Sequence, residues 1–174
     1  DDETLDRYRA RRARQFRRDR VLKARSGGAT RTLDGTPLAL CANVDARTDV
    51  AAAVEAQADA VGLLRTELLY VNREDLPSEE EQYRDAVEAM NGLGGREATF
   101  RTLDLGGDKL PRGLRVPEAP NPSLGLRGIR FSLHRPDIFR TQLRALYRAS
   151  AHGRMRLMFP MVSGVTELRA AVAI

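Results

Sequence analysis

Residues 61–67 read Val-Gly-Leu-Leu-Arg-Thr-Glu, and residues 98–104 read Ala-Thr-Phe-Arg-Thr-Leu-Asp. Each stretch contains a short apolar run that ends in an arginine, Arg65 in the first and Arg101 in the second. If the two runs are neighbouring parallel strands, both guanidinium groups lie at the same edge of one sheet. Two such cations can bind a phosphate or a carboxylate through paired hydrogen bonds, in a geometry that lysine cannot match. The pair therefore predicts a site for an anionic, phosphorylated small molecule.

The sequence around these two runs alternates between patterns typical of strands and of helices. Four apolar runs predict strands, at residues 37–44, 60–65, 97–102 and 156–161. Helices are predicted at residues 45–57, 78–90, 124–133 and 136–150, with a further one beginning at residue 166. Ser78 and Glu81 have the spacing of a capping box, in which each side chain bonds the backbone amide of the other residue. The alternation indicates an α/β fold with a parallel sheet covered by helices.

Two α/β architectures suit the repeat length of roughly 30 to 40 residues, namely a doubly wound sheet and a (β/α)8 barrel. Four units amount to about half of such a barrel. Both architectures bind ligands at the carboxyl ends of their parallel strands. Arg65 and Arg101 lie at those ends in either case, so the predicted site does not depend on the choice.

The composition indicates a globular domain, with 42% apolar and 30% charged residues. No apolar run approaches the roughly 20 residues of a membrane helix, and the charged start does not resemble a signal peptide. We therefore expect a cytoplasmic protein. The single cysteine, Cys41, excludes an internal disulfide and is expected to be a buried packing residue of the first strand. The two histidines, His134 and His152, have no recognisable acid–base partner, and they are too few for an ordinary zinc site.

The positive charge is concentrated at the start of the chain. Residues 1–25 contain ten of the 29 Lys and Arg residues and five of the 24 Asp and Glu residues, which accounts for the whole net charge of +5. Residues 3–24 lack Gly and Pro and have sparse apolar positions, so they predict a helix that connects domains or docks on one side. A basic arm can also bind nucleic acid, but we favour a solvated helix with mixed charges.

Further candidate residues follow Arg101 in a long predicted loop, residues 104–123. Loops of more than about 12 to 15 residues are usually functional or disordered, and we favour function here. Asp104 either caps the loop or orients an arginine or a metal, and the capping role is favoured. Lys109 adds a cation after two glycines, and Arg127 lies near a predicted helix start, where an anion is stabilised. Surface pairing is an equal alternative for Arg127.

Five strings in this sequence, read in order, resemble the enzymes that use phosphoenolpyruvate (PEP). They are Gly-Leu-Leu-Arg-Thr-Glu at 62–67, Leu-Pro-Ser-Glu-Glu-Glu-Gln at 76–82, Arg-Thr-Leu-Asp-Leu-Gly-Gly-Asp-Lys at 101–109, Asn-Pro-Ser-Leu-Gly-Leu-Arg at 121–127 and Arg-Ala-Leu-Tyr-Arg-Ala-Ser-Ala at 144–151. Together they resemble the Enzyme I family of the bacterial sugar phosphotransferase system, the PEP–protein phosphotransferases. The resemblance runs from about residue 35 to the end, and the segment before it is similar to that family's interdomain linker helix.

This resemblance implies a domain division, a fold and a set of binding residues. Residues 1–30 are expected to be a linker helix, and residues 31–174 the first half of a PEP-binding (β/α)8 barrel with about four βα units. Arg65 and Arg101 are expected to grip the phosphate of PEP. The secondary residues expected around that phosphate are Arg127, Asp104 and Lys109.

The resemblance also implies partners and a cofactor. In this family the phosphoryl group passes from PEP to a histidine in a separate domain and then to the carrier protein HPr, and we expect a homodimer. Mg²⁺ bridges PEP to two acidic residues, and a late cysteine protonates the enolate. Those groups match no position in this chain, and Cys41, His134 and His152 do not match the family's motifs. No catalytic residue and no metal ligand is therefore assigned in this chain.

Two expectations follow from the part of the family pattern that is present. The chain alone is expected not to turn over PEP. As a piece of a longer protein with open strand edges, it is expected to self-associate. Three alternatives stay open: a non-enzymatic module that binds PEP or phosphate, the nitrogen-related branch of the same family, and a nucleic-acid-binding fragment led by the basic helix.

Overall fold

A four-stranded parallel sheet organises the protein in the computed structural model, which describes residues 1–25, 27–105, 121 and 125–174. The strands are β1 (Cys41–Val44), β2 (Ala60–Arg65), β3 (Ala98–Arg101) and β4 (Met155–Met158). Their order in the sheet is β1-β2-β3-β4, and every neighbouring pair is parallel. The predicted α/β fold with a parallel sheet is confirmed.

Six α-helices accompany the sheet within the described residues. They are α1 (Asp2–Arg25), α2 (Val50–Glu55), α3 (Glu79–Gly92), α4 (Ile129–His134), α5 (Pro136–Ala149) and α6 (Val165–Val172). The predicted capping box begins α3, because the Glu81 amide donates to Ser78 Oγ at 3.2 Å and the Ser78 amide donates to Glu81 Oε2 at 2.8 Å. The two hydrogen bonds satisfy end amides that would otherwise lack a partner in the helix.

Two helices are shorter than the sequence predicts, and each has a local cause. The helix expected at 45–57 is divided, because Asp49 accepts a hydrogen bond from the Ala46 amide at 3.1 Å and closes a separate 3-10 turn before α2. The helix expected at 124–133 begins only at α4, after Gly128. A Cβ at Gly128 would lie 3.0 Å from the carbonyl oxygen of Pro160, and its φ is 56°, so this close approach requires glycine.

The apolar core lies on one face of the sheet. Val61, Leu64, Ala98 and Phe100 are each 1% exposed or less. They pack against buried residues of α2, α3 and α5, so these three helices cover the same face. On the opposite face, Gly62 is exposed. The sheet is therefore covered by these helices on one side.

The first strand corrects two sequence predictions. It was expected to span residues 37–44, but it begins at Cys41, because the preceding chain pairs with itself: the Leu38 amide donates to the carbonyl oxygen of Thr30 at 2.9 Å. The prediction that Cys41 is buried is also wrong, since the residue is exposed. A Cβ at Gly62 would lie 2.9 Å from Cys41 Cβ, so the cysteine lies against this exposed glycine of β2 and not in the core.

Helix α1 differs from the rest of the chain in its exposure. Every residue from 2 to 24 is exposed, including Leu5, Tyr8 and Phe16. Lys23 pairs with Glu55 of α2. None of the described helices, α1 included, is long and apolar enough to cross a membrane. The role of α1 as a linker between domains stays a prediction.

Candidate functional site

The two arginines that end β2 and β3 stand side by side. Arg65 and Arg101 are direct partners in the parallel ladder, as the last residues of their strands. Neighbouring strands are about 4.8 Å apart, and directly paired residues of parallel strands point to the same face. The structure therefore places Arg65 and Arg101 side by side at the carboxyl edge of the sheet, with their side chains on the same face.

Arg101 is held firmly by carboxylates. Its Nη2 lies 2.8 Å from Glu67 Oε1, and its Nε donates to the same oxygen at 3.0 Å. Its Nη1 lies 3.5 Å from Asp104 Oδ2, which is longer than a good charged hydrogen bond. The side chain is 18% exposed. Glu67 therefore fixes one edge of the guanidinium group and leaves Nη1 as its most available donor.

Arg65 is more exposed and more loosely held. Its Nη1 lies 2.9 Å from Asp45 Oδ1, and its side chain is 41% exposed. Its Nε is buried and has no hydrogen-bond partner among the described residues. A buried donor of this kind costs free energy unless a ligand or water accepts from it. Arg65 thus keeps one buried donor without a partner among the described residues, while its Nη1 faces only an exposed aspartate.

Glu67 is the main residue of the site that the sequence analysis did not identify. It is 8% exposed, and its Oε1 also accepts from the Asp104 amide at 3.1 Å. Its Oε2 is buried without a hydrogen-bond partner in the part of the chain that the structure describes. Glu67 pairs with Arg101 of the neighbouring strand and not with Arg65, which is nearer to it in the sequence. The sequence did contain an indication of this role, because Glu67 lies two positions after Arg65, the last residue of β2.

Asp104 and Arg127 join the site, and Lys109 cannot be placed. Asp104 Oδ1 accepts from Arg127 Nε at 3.0 Å, while its other oxygen faces Arg101. Asp104 therefore pairs with two arginines, which is the role that the sequence analysis ranked second to capping. Lys109 lies outside the described residues, as does most of the predicted loop that contains it.

The arrangement suits binding and charge neutralisation. Asp104 joins Arg101 to Arg127, whereas Arg65 is the strand partner of Arg101 and pairs with Asp45. None of these contacts involves a nucleophilic side chain. Among the described residues, no group of three or more His, Cys, Asp and Glu side chains could hold a metal ion. Positioned guanidinium groups stabilise the negative charge of a phosphate without further chemistry.

The comparisons with known proteins identify the family to which these strands belong. Residues 21–174 match the family model described as the PEP-binding domain of PEP-utilising enzymes. The chain belongs to the PEP-utilising enzyme family. This confirms the resemblance found in the sequence.

Three relatives are similar to this chain over most of its length. It is 43% identical to the phosphoenolpyruvate-protein phosphotransferase of Staphylococcus aureus, over 99% of this chain and 30% of that protein. It is 47% identical to the protein of that name from Latilactobacillus sakei, over 82% of this chain and 25% of that protein. It is 51% identical to the multiphosphoryl transfer protein of Rhodobacter capsulatus, over 80% of this chain and 17% of that protein. The chain thus spans less than a third of the length of these relatives.

Proposed function

We propose that this chain supplies the phosphate-binding arginines of a PEP–protein phosphotransferase. In the proposed reaction, the phosphoryl group of PEP passes to an enzyme histidine and then to the carrier HPr. The observation that carries the proposal is the direct pairing of Arg65 with Arg101 at the carboxyl edge of the sheet, in a chain of the PEP-utilising family. Arg127 supports the pair through Asp104.

The partners of the two arginines support binding of a phosphate dianion. The Arg65–Asp45 pair is exposed, with Asp45 64% exposed, and such pairs contribute less than about 1 kcal/mol. A doubly charged phosphate can therefore replace Asp45 as the partner of Arg65 at Nη1. Arg101 keeps its contact with Glu67 and offers Nη1 to the same phosphate.

The sheet supports the first half of a (β/α)8 barrel as the scaffold. A doubly wound sheet carries helices on both faces, whereas α2, α3 and α5 here cover one face of a sheet in sequential strand order. In a barrel, the uncovered face that includes Gly62 becomes the interior, and ligands bind at the carboxyl ends of the strands. This is the edge at which Arg65 and Arg101 lie.

The remaining parts of the proposed enzyme lie outside this chain. The described residues offer no cluster that fits a metal, so we place the Mg²⁺ ligands elsewhere in a longer protein and derive no step through the ion. The phosphorylated histidine, a homodimer interface and a cytoplasmic location belong to the same proposal. The relatives are long enough to contain these parts, since this chain covers 30% of the Staphylococcus aureus protein.

Calorimetric titration of the chain with PEP tests the binding step. Arg65→Ala is expected to raise the Kd for PEP at least about tenfold, because one charged hydrogen-bonding partner is worth about 1.5 to 3 kcal/mol. Arg156→Ala is the matched control, because Arg156 pairs with Glu97 at the opposite end of the strands and is 69% exposed. Pyruvate, which lacks the phosphate, is expected to bind much more weakly. Equal binding of PEP and pyruvate, or equal losses in the two variants, would contradict the proposal.

An exchange experiment tests the reaction. This chain replaces the matching segment of the Staphylococcus aureus protein, and transfer from PEP to HPr is measured with radiolabelled phosphate. The hybrid is expected to phosphorylate HPr and to lose this activity on Arg65→Ala, whereas the chain alone is expected to be inactive. Binding of PEP by a folded hybrid that transfers nothing would favour the non-enzymatic binding module instead.

A further inference from the structure

A buried polar network lies directly behind the two arginines. Thr66 follows Arg65 in the chain, and its Oγ1 donates to the carbonyl oxygen of Arg101 at 2.9 Å. The same Oγ1 accepts a hydrogen bond from Gln142 Nε2 at 3.1 Å. Thr66 is 6% exposed and Gln142 is 2% exposed. The end of β2 is therefore tied to the end of β3 through side chains.

Gln142 reaches this network from α5 and uses both ends of its amide. Its Oε1 accepts from the Leu103 amide at 2.9 Å, just beyond β3, while its Nε2 bonds Thr66, just beyond β2. The backbone ladder between the two strands ends at the Arg65–Arg101 pair. Beyond that point, Thr66 and Gln142 supply the cross-strand bonds that the ladder no longer makes. A network in which every amide end has a partner is rigid.

We propose that Thr66 and Gln142 are positioning residues that set the separation of Arg65 and Arg101 for one phosphate group. This inference rests on the proposed function, and it adds how the site is kept in its binding geometry. Both residues act through the backbone: Thr66 bonds the carbonyl of Arg101 itself and is joined by a peptide bond to Arg65. A displacement of about 1 Å at a reacting or binding group can cost about 100-fold, so the strand ends need a fixed spacing.

A second buried glutamine provides a matched control. Gln82 of α3 is 4% exposed, accepts from the Tyr70 hydroxyl at 2.8 Å and donates to the carbonyl oxygen of Pro77 at 3.0 Å. These contacts fix the start of α3 and include neither Arg65 nor Arg101, nor any residue that hydrogen-bonds to them. Loss of either glutamine amide leaves buried polar groups unpaired, so the two losses are expected to destabilise the fold similarly. An effect on phosphate binding is expected from Gln142 alone.

The test combines four variants, each titrated with PEP and heated to determine Tm. Gln142→Met and Thr66→Val are expected to raise the Kd for PEP about tenfold, the lower end of the losses seen when supporting groups around a binding site are removed. Thr66→Ser keeps the hydroxyl and is expected to restore binding to within about twofold of the original. Gln82→Met is expected to lower Tm as much as Gln142→Met does, with the Kd for PEP unchanged.

Three results would overturn the inference. The first is equal weakening by Gln82→Met and Gln142→Met. The second is unchanged affinity in Thr66→Val, and the third is failure of Thr66→Ser to restore binding. If Gln142→Met does not fold, the comparison of Thr66→Val with Thr66→Ser still tests the inference.

A spectroscopic readout separates this inference from the proposed function. The Arg101 Nε–H donates to Glu67, so its NMR signal reports the position of the guanidinium group without any ligand. This signal is expected to shift in Thr66→Val and to stay in place in Gln82→Met. If the unaltered chain fails to bind PEP, the proposed function is wrong, and the signal still tests the positioning network. An unshifted signal in Thr66→Val would refute the network itself.

Discussion

Phe100 and Arg101 are neighbours in β3, but they belong to two different regions of the molecule. Phe100 is 1% exposed and lies in the apolar cluster under α2, α3 and α5. Arg101 lies at the sheet edge among carboxylates. Buried apolar surface contributes most of the folding free energy. The exposed Arg65–Asp45 pair at the same edge contributes little. The covered face therefore contributes most of the stability, and the edge carries the charged groups of the candidate site.

The largest expected effect comes from the covered face. Phe100→Ala is expected to reduce the free energy of unfolding by about 3 to 5 kcal/mol, because it leaves a cavity between the sheet and its helices. Urea unfolding followed by circular dichroism measures this loss. Thr99→Ala is the neighbouring control, since Thr99 is only partly buried, and it is expected to cost about 1 kcal/mol or less. Comparable losses of unfolding free energy in the two variants would show that the face covered by helices contributes no more to stability than the opposite face.

The next effect concerns the edge. Arg101→Lys is expected to weaken PEP binding about 100-fold, which corresponds to about 2.8 kcal/mol. The ammonium of lysine cannot reproduce the planar guanidinium group, which bonds Glu67 through Nε and Nη2 and keeps Nη1 for a phosphate. The same substitution is expected to reduce the free energy of unfolding by only about 1 to 2 kcal/mol. Calorimetry and urea unfolding measure the two quantities on one protein, with Arg156→Lys as the control. A larger loss of stability than of affinity would assign Arg101 to the fold and not to the site.

A smaller effect on stability is expected at Ser78, which lies neither on the covered face of the sheet nor at its charged edge. Ser78→Ala removes the hydroxyl that accepts from the Glu81 amide at the start of α3. The free energy of unfolding is expected to fall by about 1 kcal/mol, the usual contribution of such a cap. PEP affinity is expected to stay the same, as measured by calorimetry. A change in affinity would show that α3 communicates with the sheet edge.

The smallest effect depends on pH. Hydrogen bonds from the Ser78 backbone and from Arg73 lower the pKa of Glu81 from its ordinary value of 4.5 to about 2. A lowered carboxylate pKa stabilises the fold above the ordinary pKa, and this contribution disappears as the pH falls from 4.5 towards 2. Glu81→Gln is expected to lower Tm at pH 7 and to have no effect near pH 2. A Tm difference that persists at pH 2 would mean that the charge of Glu81 is not its source.

The apolar runs were sufficient to predict the strands, because strand pattern is a local property of the sequence. Residues 60–65 form β2 as predicted, with Arg65 as the last residue. Cys41 was misplaced because an apolar run does not reveal which face the helices will cover. The partners of the arginines depend on distant contacts: Gln142 bonds Thr66 across 76 positions of the chain. No local pattern could have predicted this bond.

Arg101 is bonded to its carboxylate through two nitrogens and Arg65 through one, and this difference affects what each side chain loses on binding an anion. Glu67 Oε1 holds Arg101 from two nitrogens before any ligand arrives, so this side chain has little rotamer freedom left to lose. Arg65, held at one nitrogen by an exposed aspartate, must become ordered when the anion arrives. The entropic penalty of binding the anion therefore falls mainly on Arg65, whereas Arg101 is already ordered for binding.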